Sequence, residues 1–359
     1  MLNWKLSSKY VAGSVVAAGL AFGMGTAQAS VARMPNTIVT PAITSGALPD
    51  TPGAHVDPNV PSSKYSGVVS INIRYDGQSF ICSGAMIAKR SVMTAGHCVD
   101  TAGNGTYVDL KKAGTDVRVV FNSNGNINAL INATKVDVHQ GYQGFNNCPD
   151  GSRGCVNDDV AVLTLAQDAP ASAKIYKVAV NPLNTGTHIT MAGYGTSGDG
   201  TLGYYVSPSF TIKRTGENVI DLFDLDDEQD FAAGKKEVYY ADFDGAGKDT
   251  FCDLFGVCTE ILPNDRESGI GGGDSGGPSF VNMYGQMMIV ANNTFSGRFE
   301  GQTPGTFGTY FGGMLMSGYG DFLHNATNGR VTLVPEPASI ALLGLGALMI
   351  GGMRRRKQK

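Results

Sequence analysis

Ser275 stands in the stretch GIGGGDSGGP, Gly269 to Pro278, where six of ten residues are glycine. A serine hydroxyl is a weak nucleophile until a base takes its proton and a third group orients that base. Glycines beside it let backbone N–H groups approach a reacting carbonyl and hold the charge that develops on its oxygen. The amides of Gly273 and Ser275 are the candidate donors for such an oxyanion. A phosphate cradle is the competing chemistry for so many glycines, but no Lys-Ser/Thr follows and no strand–loop–helix context surrounds the stretch. A linker would not explain Asp-Ser-Gly-Gly closed by proline.

The base should be one of five histidines. His97 lies near the end of CSGAMIAKRSVMTAGHC, Cys82 to Cys98, where the small residues Thr94-Ala95-Gly96 present the imidazole beside a cysteine able to close back onto Cys82. That closure would pin the loop carrying the base. His139, in VDVHQGY, is the rival, an isolated histidine at a strand end. His55, His188 and His324 have no supporting neighbours. The orienting group should be a buried carboxylate. VNDDVAVLTL places Asp158 and Asp159 at the head of an apolar strand, where a carboxylate is costly to bury without a charged partner. A role beside His97 suits such a residue, and at least one of the two adjacent acids is expected merely to cap a turn.

The elements that must position these residues read as strands. GVVSINI, VRVVF, VAVLTL, HITMAG and MMIVA alternate with Gly/Asn/Asp turns, and helical periodicity is scarce apart from GYGDFLHNA. Many short strands between turn signals predict an all-β sandwich or barrel. Residues 30–63, rich in Pro, Ala, Thr and Ser, read as a propeptide or flexible N-terminal arm, and residues 327–333 as a linker.

The two ends carry addresses. Lys5 and Lys9, the apolar run VAGSVVAAGLAFGMG and the site Ala27-Gln28-Ala29 describe a secretory signal peptide over residues 1–29. Pro335-Glu336-Pro337 precedes an apolar segment, 338–353, and the basic cluster Arg354, Arg355, Arg356, Lys357 and Lys359. That is a short membrane helix with a positive stop on the cytoplasmic side. The order of parts over 334–359 resembles the PEP-CTERM sorting tail of exported proteins in Gram-negative bacteria. The resemblance implies membrane attachment before processing, then removal of the tail by an exosortase-type partner.

Six cysteines in an exported chain imply disulfides. They fall as local couples, which favours the pairs Cys82–Cys98, Cys148–Cys155 and Cys252–Cys258; their spacing offers no zinc pattern. The whole chain carries net charge −4, and loss of the basic residues in both ends makes the mature protein more acidic. An acidic exported chain without a basic stripe is not expected to bind nucleic acid.

TAGHC, NDDVAVLTL, AGYGT at Ala192 to Thr196, and GGGDSGGP together resemble the chymotrypsin/trypsin family of serine proteases, in its chain order His, Asp, Ser. The resemblance spans residues 64–326. It implies two packed antiparallel β-barrels with the active site between them and a short C-terminal helix. It also implies the roles: His97 as base, Ser275 as nucleophile, Gly273 and Ser275 amides as oxyanion donors. Its Asp-Ile-x-Leu pattern aligns with Asp159-Val160-Ala161-Val162 and so selects Asp159 over Asp158. The chain departs from the family at two points. The pocket-floor position is Gly269, with Asp265 and Glu267 close by, and the cysteine expected four before the serine is Gly271. No Ile-Val-Gly-Gly precedes SKYSGVVSINI to supply the new N-terminal amine that pairs with Asp274 in the family; Val56 and Ile38-Val39 are the candidates.

The reading is an exported serine endopeptidase acting on protein or peptide substrates through an acyl-enzyme. The alternatives are a catalytically silent surface-binding module and an esterase, the latter lacking G-x-S-x-G. No cofactor is required, though the acidic insertion DLFDLDDEQD with DFDGAGKD offers the oxygen ligands that Ca²⁺ takes, without the spacing of an EF-hand.

Overall fold

The computed structural model describes residues 37–40, 43–147, 156–229 and 231–335. The signal region 1–29, the Cys148–Cys155 couple and the apolar segment 338–353 lie outside the described residues. Strand β1 (Thr37–Thr40) and the short β2 (Val56–Asp57) come first. Then follow β3 (Val68–Tyr75), β4 (Gln78–Ala88), β5 (Ser91–Thr94), β6 (Asp116–Ser123), β7 (Asn126–Val138) and β8 (Ala161–Leu165). These six close into an antiparallel barrel, order β3-β4-β5-β8-β7-β6.

Alternation builds that barrel. Val69, Ile71 and Ile73 of β3, Val117, Val119 and Phe121 of β6, and Ala161, Leu163 and Leu165 of β8 all point into one interior cluster. Side chains two apart share a face of a strand, so each such set fills the inside. Tight turns set the register. Asp76-Gly77 and Asn124-Gly125 have φ of 49°, 75°, 52° and 77°, the left-handed pair a two-residue hairpin needs. They pair Tyr75 with Gln78 and Ser123 with Asn126.

The second half holds β9 (Val178–Ala179), β10 (Thr187–Gly193), β11 (Ser197–Asp199), β12 (Gly203–Val206), β13 (Lys213–Ile220), β14 (Leu222–Leu225) and β15 (Lys236–Asp242). After helix α1 (Thr250–Phe255) come β16 (Pro278–Met283), β17 (Gln286–Asn292), β18 (Phe295–Phe299), β19 (Tyr310–Met314), helix α2 (Gly320–Ala326) and β20 (Leu333–Val334). A seven-stranded sheet, β2-β13-β10-β16-β17-β9-β20, packs on a five-stranded one, β1-β18-β19-β15-β14. Ile189, Met191 and Val290 of the first meet Tyr239, Ala241 and Phe311 of the second in a common core. Another apolar cluster joins the halves: Val68, Met93 and Val162 of the barrel pack with Tyr194, Phe280 and Ile289.

The protein is thus all-β, two packed halves with a short C-terminal helix, as expected. Helix α1 was not legible in the sequence. Its six residues rest on Asp249 as N-cap, accepting from the Cys252 amide at 2.9 Å, on left-handed Gly256 (φ 68°), and on the Cys252–Cys258 disulfide. The arm expected to be loose is docked over its described part. β1 pairs with β18, β2 with β13, and Ile43, only 1 % exposed, enters the core of the second half. Burying that side chain contributes about 1.5–3 kcal/mol, which local polarity around it did not reveal.

Candidate active site

His97 sits on a single 3-10 turn, Gly96–Cys98, directly after β5. The Cys82–Cys98 disulfide ties this turn to β4, and the Thr94 hydroxyl donates to the Ser83 carbonyl at 2.8 Å. Asp159 precedes β8, the neighbour of β5, and is wholly buried. Its carboxylate accepts twice from one residue: from the His97 amide at 2.7 Å and at His97 Nδ1 at 2.6 Å. With Nδ1–H committed to Asp159, Nε2 is left as the acceptor nitrogen, and it has no partner among the described residues. Gly96 suits this close approach: a Cβ there would stand a tight 3.1 Å from Asp159 Oδ1 and 3.2 Å from Val138 Cγ1.

The loop of Ser275 lies against the same turn. The Ser83 amide donates to the Ser275 carbonyl at 2.8 Å, and the Ser83 hydroxyl to the Gly273 carbonyl at 2.8 Å. A Cβ on Gly276 would fall 2.6 Å from the Ala95 nitrogen, so only glycine fits between the two loops. Gly273 and Gly276 have φ of 102° and 79°. The amides of Gly273 and Ser275 donate to no described residue, so both remain available to an external oxygen.

The structure brings His139 to Asp158 instead, Nδ1 to Oδ1 at 2.6 Å, with the rings of Tyr319 and Phe322 packed edge-on against the imidazole. Asp158 takes φ 57°, and the two adjacent carboxylates serve different histidines. Glu237 accepts from the Asp158 amide at 3.0 Å and from the Tyr319 hydroxyl at 2.5 Å; burial, then the charge of Asp158, raises its carboxyl. His55 pairs with Asp50 at 2.7 Å and His188 with Glu260 at 3.0 Å. His324 lies in the last turn of α2.

Asp274 points away from His97 into a closed pocket of amides. Gly195 donates to its Oδ1 at 2.8 Å and Gly271 to its Oδ2 at 2.8 Å. The backbone nitrogen of Ile43 also donates to Oδ2. Burial lifts this carboxyl from 3.8 to about 7, against the pull of the Gly271 and Gly195 amides and of Arg214. Val56 pairs with Arg214, and Ile38 and Val39 pair with Arg298 and Gly297, whereas Ile43 is the residue at Asp274. The available signal was Ile43-Thr44-Ser45-Gly46, an apolar residue followed by small ones.

Gly269 is held by Thr44, whose amide donates to its carbonyl at 2.9 Å and whose hydroxyl accepts from its amide at 3.1 Å. A Cβ on Gly269 would meet the Phe243 ring at 3.6 Å. Asp265 is exposed, and Glu267 is buried and takes a bond from Asn218 at 2.7 Å. A cavity of about 610 Å³ opens at His97, walled by Phe80 and Phe145 and, on the far side, by Ile38, Val39 and Thr40 of β1. Strand β1 runs antiparallel to the edge of β18 there.

The sequence model of the family described as Trypsin matches residues 57–217, taking in His97 and Asp159 and ending before Ser275. A second match, the PEP-CTERM protein-sorting motif, covers residues 333–357 and marks the chain for export to the cell surface or beyond. The chain is 27% identical over 126 residues to Brachyurin of Leptuca pugilator, 34% of this chain and 49% of that protein. It is 34% identical over 120 residues to a Trypsin-like protease of Streptomyces glaucescens, 33% of this chain and 37% of that one. The aligned region thus spans half or less of each relative. Among solved structures, Protease Anisep from Arthrobacter nicotinovorans aligns at 17% identity and a TM-score of 0.45, over 74% of this chain and 96% of that one. Among the described residues, no helix is long and apolar enough to cross a membrane.

Proposed function

We infer that the chain is an exported serine endopeptidase. The observation that carries this reading is the His97–Asp159 pair, with Nδ1 bonded to a buried carboxylate and Nε2 without a partner among the described residues, on a turn that the Ser275 loop packs against. In this reading His97 Nε2 takes the Ser275 hydroxyl proton as Oγ bonds to a peptide carbonyl carbon. The Gly273 and Ser275 amides hold the resulting oxyanion. Collapse breaks the C–N bond, His97 returns the proton to the leaving amine, and water then frees the acyl group by the same steps reversed. Asp159 fixes the tautomer throughout.

The same reading includes activation. Cutting between Ala42 and Ile43 would turn the Ile43 nitrogen into an ammonium against the Asp274 carboxylate and free β1 from the cavity wall. An exosortase-type enzyme would act on the tail. Ser275→Ala should abolish labelling by a fluorophosphonate probe and casein cleavage while the protein stays folded. Labelling that survives in this variant would remove Ser275 as nucleophile, and a wild-type protein that never labels after the cut would leave a binding module. Ester hydrolysis without casein cleavage would mean an esterase.

A further inference from the structure

Away from His97, the connection from β15 into α1 gathers carboxylates that the proposed reaction does not use. Asp242 ends β15, Asp244 follows two residues later, and Asp249 caps α1. One carboxylate oxygen from each lies within 4.8 Å of the other two. Asp221 and Glu267 stand alongside: the Asp242 amide donates to Asp221 at 3.1 Å and the Asp244 amide to Glu267 at 3.4 Å. Asp242, Asp221 and Glu267 are 1 %, 2 % and 2 % exposed. None of the five forms an ion pair with a described Lys, Arg or His.

The second observation is Asp244 itself. It is 6 % exposed, and its buried Oδ1 has no hydrogen-bond partner among the described residues. Asp242 and Asp249 each spend one oxygen on a helix amide, Phe251 at 2.7 Å and Cys252 at 2.9 Å. Buried carboxylates with open lone pairs and no countercharge are costly, so they must share protons or share a cation.

We propose that Asp242, Asp244 and Asp249 form a Ca²⁺ site. Three hard carboxylate ligands without histidine or cysteine suit Ca²⁺, which accepts six to eight oxygens in flexible geometry, rather than Zn²⁺. Phe243, between two of the ligands, packs against the Phe307 ring, centroids 4.8 Å apart and planes tilted by 46°, and faces Gly269. The cation therefore braces the connection that backs the Gly269 segment. A second acidic group, Asp158, Asp226, Asp227, Glu228 and Glu237, lies toward the other end of β15; its buried members Asp158 and Glu237 are already bonded to His139, to Tyr319 and to a backbone amide.

The test uses full-length Ser275→Ala protein, which removes self-digestion, stripped with EDTA and titrated with CaCl₂ at pH 7. Calorimetry should show one Ca²⁺ bound at this site, and saturation should raise the melting temperature by about 5 °C. Asp244→Asn should weaken binding at least about tenfold, the effect of one lost charged ligand. Asp249→Asn should do likewise while keeping an N-cap oxygen, so a variant that fails to fold does not decide the matter alone. Absence of Ca²⁺ heat and of any melting shift would overturn the site. So would an equal Ca²⁺ response in wild type and both variants, or stabilisation by acid with none by Ca²⁺, the mark of shared protons.

Discussion

At the scale of single residues, Asp274 decides how the site responds to pH. Its carboxyl is buried among amides, and burial raises it from 3.8 to about 7 while the Ile43 nitrogen is still an amide. A raised carboxyl means that the folded chain holds a proton the unfolded chain has lost. Stability is therefore greatest below the unfolded value and falls as pH rises from about 4 to about 7. Once the chain is cut before Ile43, an ammonium meets the ionised carboxylate and that loss is offset. Melting curves of cut and uncut Ser275→Ala protein should diverge between pH 4 and 7, the cut form gaining. Parallel curves across that range would rule out an Ile43–Asp274 ion pair.

At the scale of elements, the imidazole is positioned by a turn too short to hold itself. The turn Gly96–Cys98 is one 3-10 turn, and its geometry rests on β5, β8 and the disulfide to β4. Cys82 and Cys98 are 16 residues apart, a loop whose closure stabilises by about 3 kcal/mol. Replacing both by serine should lower the unfolding free energy by that amount, read as an earlier urea midpoint, and slow probe labelling of the activated protein. An unchanged midpoint would show that the strands alone hold the turn. Strand β1 plays the opposite part. It adds to the edge of β18 by main-chain bonds, the way an extended peptide joins a sheet.

At the scale of the whole molecule, the two ends carry the expected processing sites and the middle is packed. Ile43 is buried in the second half, while the sorting motif begins at residue 333, where β20 still pairs with β9. The mature, probe-reactive protein is therefore expected to start at Ile43 and to lack the tail beyond the Pro-Glu-Pro. N-terminal sequencing and intact mass check both ends. Active protein that retains residues 1–42 uncut would remove Ile43 from activation.

The sequence by itself determined the parts that depend on neighbours in the chain. Asp76-Gly77 and Asn124-Gly125 specify hairpins because only such pairs accept two left-handed residues. Alternation specified the barrel faces, and the spacing of Cys82 and Cys98 specified a local bridge closing on the His97 turn. Family pattern singled out His97, Asp159 and Ser275, but residue types alone left Asp158 and Asp159 equal. Tertiary structure separated them, sending Asp159 to His97 and Asp158 to His139. It also set Ile43 against Asp274, 231 residues away, laid β1 on β18, and drew Asp221 and Glu267 to Asp242 and Asp244. Such contacts have no local period or spacing. They exist because two apolar cores, once packed, fix which distant backbone and carboxylate groups share the space left between them.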